Sequence, residues 1–395
     1  MKDKTSVLFL VIAIIIFLIV GILFFNKVIL NNGLKINEIE YSNKTAEEDF
    51  ERAEYIFPSE KRFFKKSDIG TDVFQLTTHE AEDGIFYQEP SYTSPNNKYF
   101  LFQSNRDERY RLYIVDINQG EIILLRYDPS FGWAPTWSKE GKVYVGSSGK
   151  IIEIDPETLG EKYIDLPNSY VATFLHVSRN GEKILMVEEE PGFGGSKHKR
   201  LAIVNKDGSG YQTLYNVDEK EIFYLDHPVW VNDSLVLFLT RGKERNFTGD
   251  FNKPHLVDID GNLRKIPREC SHYDVHPDGD KILCATEGYI INLDGEIIKE
   301  LPLRGHGVWH PDGKSFLMTG DPIPIPSGEH FGKIALMEFD SENATNIVSH
   351  ESTYDSTLAV HIQPNAQFSR DGNWIIYESD LMKGYGSDLF MVEIN

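Results

Sequence analysis

The chain alternates apolar and polar positions in short runs over most of its length, with turn residues every eight to twelve positions. Such a pattern predicts strands rather than helices. The opening is different. Residues 6 to 25, SVLFLVIAIIIFLIVGILFF, hold twenty residues without a charge. Twenty helical residues rise about 30 Å, enough to cross a bilayer core. Lys2 and Lys4 precede the run, and Asn26 and Lys27 follow it with no small-residue cleavage site. An uncleaved signal anchor is therefore expected, with residues 1–5 in the cytoplasm and everything after the span outside it, at the cell membrane. Residues 26–71 read as a polar stalk. Within it Thr45 and Glu48 fit a capping box, and Ala46, Phe50, Ala53 and Phe57 recur at helical spacing up to Pro58, which predicts a short amphipathic helix.

From residue 72 onward one unit recurs. An aromatic or apolar anchor is followed by a polar turn and then by alternating strands. It appears as PSYTSPNNKYFLF, PTWSKEGKVYV, FLHVSRNGEKILMV, HPVWVNDSLVLFL, HYDVHPDGDKILC, HGVWHPDGKSFLM and NAQFSRDGNWIIY. The anchors are read as Tyr92, Trp137, His176, Trp230, Val275, Trp309 and Phe368. Their mean spacing of roughly 46 residues suits a four-stranded propeller blade. The seventh unit runs out at Asp388 to Ile394, its third strand, while an unassigned strand, Val73 to Thr77, lies upstream of the first unit. That strand is expected to complete the last blade and close the ring, which removes the exposed edges. The fold class is thus all-β: a seven-bladed β-propeller over 72–395, closed by an N-terminal strand and preceded by a transmembrane helix and a short helical stalk.

Composition narrows the function. With 40 basic and 61 acidic side chains among 395 residues, the formal charge is -21, which argues against nucleic acid. Two cysteines, Cys270 and Cys284, are too few for a disulfide framework or a structural zinc site. They flank the hairpin turned at Asp278-Gly279 but are offset in its register, so a bond between them calls for a bulge. No Gly-x-Ser-x-Gly nucleophile elbow occurs. His276-Pro-Asp-Gly and His310-Pro-Asp-Gly read as blade turns.

Residues at a shared offset in each unit lie on a ring around the axis. Three positions before each anchor, where the innermost strand begins, stand Glu89, Ala134, Thr173, His227, His272, His306 and Asn365. Three histidines in consecutive blades make a candidate pocket at one mouth of the channel. Imidazoles there suit metal binding, carboxylate binding or base catalysis, against the alternative that each merely bonds a neighbouring loop. His361 and Gln363 should reach the same mouth, and Arg241 and Arg304 lie beside it as candidate ligand-binding cations.

The repeated units resemble those of TolB-like propellers, with their P-x-W-S-P-D-G-K pattern. The segments Tyr224-Leu-Asp-His227-Pro-Val-Trp230 and Gly305-His306-Gly-Val-Trp309 are also similar to blade starts of oligogalacturonate lyases. That second resemblance implies β-elimination on acidic uronate oligosaccharides, aided by a divalent metal such as manganese or calcium. The family's last-blade Gln-x-x-His-x-His run falls here on Val360, Gln363 and Asn365. The implied ligand set becomes His306 (or His272), His361 and Gln363, with His227 or His272 as the base. Three readings follow. The first is a membrane-anchored propeller that binds a ligand or protein partner at its mouth, with Glu89, Arg241, Arg304 and Asn365 as contacts. The second is a polysaccharide lyase, and the third a structural module of an envelope assembly. The sequence leaves open whether the chain is an enzyme.

Overall fold

The computed structural model describes residues 55–86, 91–126, 134–190, 199–217, 222–242, 253–320, 332–350, 354–355, 360–361, 364–380 and 386–394. The expected membrane span at 6–25 and most of the expected stalk helix lie outside them. Among the described residues no helix is long and apolar enough to cross a membrane.

Seven antiparallel sheets of four or five strands succeed one another along the described chain. Blade 1 has its core strands at Tyr99–Ser104, Arg111–Asp116 and Ile122–Arg126. Blade 2 begins at Thr136–Trp137, blade 3 at Val171–Val177 and blade 4 at Ile222–Asn232. Blades 5 and 6 begin at Tyr273–Val275 and Gly305–Trp309. Blade 7 takes Gln367–Phe368, Trp374–Ser379 and Asp388–Glu393 from the end of the chain.

Ring closure follows the expectation. Asp72–Gln75 lies antiparallel to Asp388–Glu393, with Val73 opposite Val392 and Gln75 opposite Phe390. The propeller also takes in more of the N-terminal segment than the 72–395 boundary allows. Arg62–Lys66 forms the outermost strand of blade 7, and Ile56–Phe57 pairs with the outer strand of blade 1. Phe57, expected on a helix face, is thus in a strand. The alternation of Phe63 and Phe74 across the outer pair brings their rings within 6.5 Å, a cross-strand contact that a helix could not supply.

Each blade buries its faces against its neighbours, so the core is a set of wedges between sheets. Between blades 4 and 5 the wedge holds Val229, Leu237, Tyr273, Val275 and Ile282. The turn after each anchor explains the recurrent Ser and Gly. Ser138, Ser178 and Ser369 accept backbone N–H groups from Lys142, Lys183 and Trp374 at 2.9–3.0 Å. Gly279 takes a positive φ of 76° and its Cα nearly touches blade 4, because an added Cβ would stand 2.4 Å from the Val231 carbonyl oxygen. In blades 5 and 6 the serine is replaced by histidine, as the turn reading expects. His276 accepts the Asp278 N–H at Nδ1 and meets the Gly313 carbonyl at Nε2, 3.0 Å away in the next blade. His310 does the same with Asp312 and with Gly372 of blade 7.

The anchors read in blades 1 and 3 are one residue early. Thr93 faces Phe100 and Val177 faces Ile184, the counterparts of Trp137 with Val143 and Trp309 with Phe316. Blade 3 carries a register shift between Thr173 and His176, which hid the alignment. Its ring position is therefore Phe174, not Thr173.

Candidate ligand site at one mouth of the channel

The corrected ring brings flat side chains into a row. Phe174 stacks near His227 with ring centroids 6.5 Å apart, His227 lies 6.1 Å from His272, and His272 lies 4.2 Å from His306. Four consecutive blades contribute one ring each. Local backbone shape helps to place them. Ala134, Phe174, His227 and Asn365 all have positive φ, between 40° and 56°. That region is costly for non-glycine residues and marks a backbone held by its surroundings.

His227 is buried, and its Nδ1 lies 2.9 Å from a carboxylate oxygen of Asp226, itself buried. The Tyr273 hydroxyl donates to the His227 carbonyl, which ties blade 5 to blade 4 at this level. His272 is half-buried and its Nδ1 lies 2.8 Å from the Thr286 hydroxyl. That hydroxyl also donates to the Gly305 carbonyl at 3.2 Å. With its proton on Gly305, Thr286 accepts from His272 Nδ1–H, and the imidazole lone pair then sits on Nε2. His306 is fully buried, and Thr319 donates to its carbonyl at 3.2 Å.

Asn365 closes the ring on the blade 7 side and reveals a residue the sequence reading missed. Its Nδ2 donates to Glu378 at 2.6 Å, and the Ile85 N–H donates to the other Glu378 oxygen at 2.8 Å. Glu378 is the next-to-last residue of the second strand of its blade, WIIYES, where nothing in the repeat marks it. Burial pushes its carboxyl up to about 8, against the pull of these two donors. A raised carboxyl contributes stability that is complete below the unfolded value, near 4.5, and is lost as pH rises toward 8. Glu378→Gln should therefore match the wild type at pH 5 and exceed it by ~2–4 kcal/mol at pH 9, read from denaturant melts. The Asn365 amide can turn over to accept from the new Gln. An equal difference at both pH values would contradict the assignment.

The other candidates are placed as follows. Arg304 is exposed and packs along the turn at Gly288, where an added Cβ would meet its Cγ at 3.0 Å. Glu89 and Gln363 lie outside the described residues, as do the side chains of Arg241 and His361. The backbone of His361 pairs with Tyr354 in a small two-stranded hairpin. Among the described residues no three His, Cys, Asp or Glu side chains are placed to share a metal ion. The described residues do not by themselves build the metal centre that the lyase resemblance implies.

No known family profile matches the chain, and no curated protein matches it in sequence. Solved structures do match. Oligogalacturonate lyase in complex with manganese superposes with a TM-score of 0.69 at 16% identity, covering 86% of this chain and 97% of that one. Oligogalacturonate lyase from Vibrio parahaemolyticus gives 0.69 at 17% identity, covering 86% and 98%. TolB from Acinetobacter baumannii gives 0.41 at 11% identity, covering 80% and 64%. At these identities the likeness is one of fold: the chain is a seven-bladed propeller built like an oligogalacturonate lyase.

Proposed function

We propose that the chain is a membrane-anchored propeller whose soluble part lies outside the cytoplasm and binds an elongated, flat-faced ligand, an acidic oligosaccharide, at the histidine-bearing mouth. The observation that carries the reading is the row Phe174, His227, His272 and His306. Ring faces stack on the C–H faces of sugars, and imidazole N–H groups meet hydroxyls and carboxylates. The uncharged run at 6–25 supports the anchor. The disulfide between Cys270 and Cys284 supports an oxidising compartment.

A second reading is favoured by the fold likeness to oligogalacturonate lyase and by the His272 tautomer. In β-elimination a base takes the proton beside the sugar carboxylate. The C–H electron pair becomes the new C=C bond, and the glycosidic oxygen leaves with a proton. This reading assigns the base to His272 Nε2, supported by the Thr286 contact at its Nδ1. One experiment separates the two readings. The soluble part is titrated with oligogalacturonate, with and without manganese or calcium, by calorimetry and by ultraviolet absorbance of the unsaturated product. Binding without absorbance supports the first reading. Absorbance that falls ~100-fold or more in His272→Ala supports the second. Neither heat nor absorbance would end both.

A further inference from the structure

The far end of the channel holds a separate cavity of about 620 Å³, to which every blade contributes. None of His227, His272, His306 or Asn365 lines it. In blades 2 to 7 its walls come from the anchor and the residue before it, joined in most blades by the turn beyond. The anchors Trp137, Trp230, Trp309 and Phe368 make it largely apolar. The volume falls within the range of small-molecule pockets.

The polar groups in it are mostly donors. His176 accepts the Trp230 N–H at Nδ1, 3.0 Å away, so its neutral ring carries the proton on Nε2. It stays neutral, because burial, with Arg370 and Arg179 adding to it, pushes its pKa down to about 3. Gln367 accepts the Tyr92 N–H at Oε1, while its buried Nε2 has no hydrogen-bond partner among the described residues. Among the described residues Arg370 uses only Nε, donating to the Thr93 carbonyl at 3.2 Å. Its neighbour Asp371 turns back onto Ser369 and Asn373. Lys139 lines the same rim and is exposed. Neither Arg370 nor Lys139 forms an ion pair among the described residues, in a chain of formal charge -21.

Arg179 and the carboxylates in and around the wall are partnered within the protein. Arg179 is tied across the mouth to the carbonyls of Pro277 and His276 in blade 5. Asp233 and Asp278 lie near it. Asp274 is the carboxyl in the wall, and both its oxygens accept backbone N–H groups, from Val275 and Trp309. Burial pushes it up to about 7, which weakens the charge it sets against an anion.

We infer that this cavity is a second binding site, for a small organic anion with an apolar body, whose charged end lies on the arc of Arg370, Gln367, Lys139 and His176. The tryptophan walls take the apolar part, and an arginine fork takes the carboxylate or its analogue. The site is independent of the histidine mouth.

The test uses 2-naphthoate as the probe and the uncharged 2-naphthamide as its control, titrated by calorimetry into the soluble part. Naphthoate should bind at least tenfold more tightly than naphthamide. Arg370→Gln should weaken naphthoate about tenfold or more and leave naphthamide unchanged, while Arg370→Lys, which keeps the charge but not the fork, should fall between the two. His272→Ala should leave naphthoate binding intact. Thermal melts of each variant confirm folding. Equal affinities for the two probes, no naphthoate binding at millimolar concentration, or equal losses in Arg370→Gln and His272→Ala would each overturn the inference.

Discussion

A chain that starts at residue 79 should not reach a cooperative folded state. It loses the strand Asp72–Gln75, which supplies the closing ladder to Asp388–Glu393. It also loses Val73 and Leu76, both fully buried, and the bond from Gln75 to Asp388 at 2.8 Å. Beyond the strand, Leu76 donates to the Leu389 carbonyl and Thr77 accepts the Leu389 N–H. The seam is stapled on its other side too. Arg106 in blade 1 holds Glu60 at 3.1 Å and Asp83 at 3.2 Å, with its side chain almost wholly buried. Truncation takes Glu60 from that buried cation, leaving it Asp83 alone, and bares two sheet edges, which drives aggregation. The single change Val73→Asp should cost about 3–5 kcal/mol, by placing a carboxylate where a methyl pair packs. Circular dichroism melts and light scattering decide the matter. A truncated chain that melts cooperatively at the wild-type midpoint would show that the ring does not need this strand.

The second large effect belongs to the disulfide. Cys270 and Cys284 are bonded, with Cα atoms 5.0 Å apart and a sequence separation of 14. A loop of that size contributes ~3 kcal/mol through the unfolded chain. Replacing both cysteines with alanine should lower stability by about 2–4 kcal/mol, and reducing the wild type should do the same. The bond precedes Ser271, whose N–H and hydroxyl are held by Glu287 at 3.1 and 2.7 Å, and His272 comes next. The same variant should therefore weaken ligand capture at the histidine mouth. A stability loss under about 0.5 kcal/mol would mean the link contributes nothing to the fold.

How much of this was legible in the chain depends on what each feature is made of. The ring and its closure were legible, because repeat period and turn chemistry are local, and an orphan strand at each end invites pairing. The cysteine pair was misjudged. Tyr273 is the partner of Cys284 in the ladder, as the turn register predicts, so that argument calls for a bulge to bring Cys270 into line. Cys270 lies ahead of the strand, outside that ladder, and the bond forms with no register shift in the pairing. The strands at Ile56–Phe57 and Arg62–Lys66 were hidden because a few residues fit a helical stripe as easily as a strand. Their partners are distant in sequence. Phe174 was missed because blade 3 offers no aromatic anchor, so His176 was taken for one. Glu378 was invisible: its neighbours Asn365 and Ile85 meet it only through the fold. The donor arc around Arg370 is equally hidden, since its residues are scattered over three blades and converge only once the ring is built.

The closure has one more consequence, for synthesis. Gln75 and Asp388, which meet in the seam, are 313 positions apart. At roughly 5–20 residues per second, the first of them leaves the ribosome about 15–60 s before the second. Through that interval the early wedges stand with a bare hydrogen-bonding rim and wait for the last arc of the circle. A chain in that condition gains from a holding factor that covers the rim until the final strand arrives.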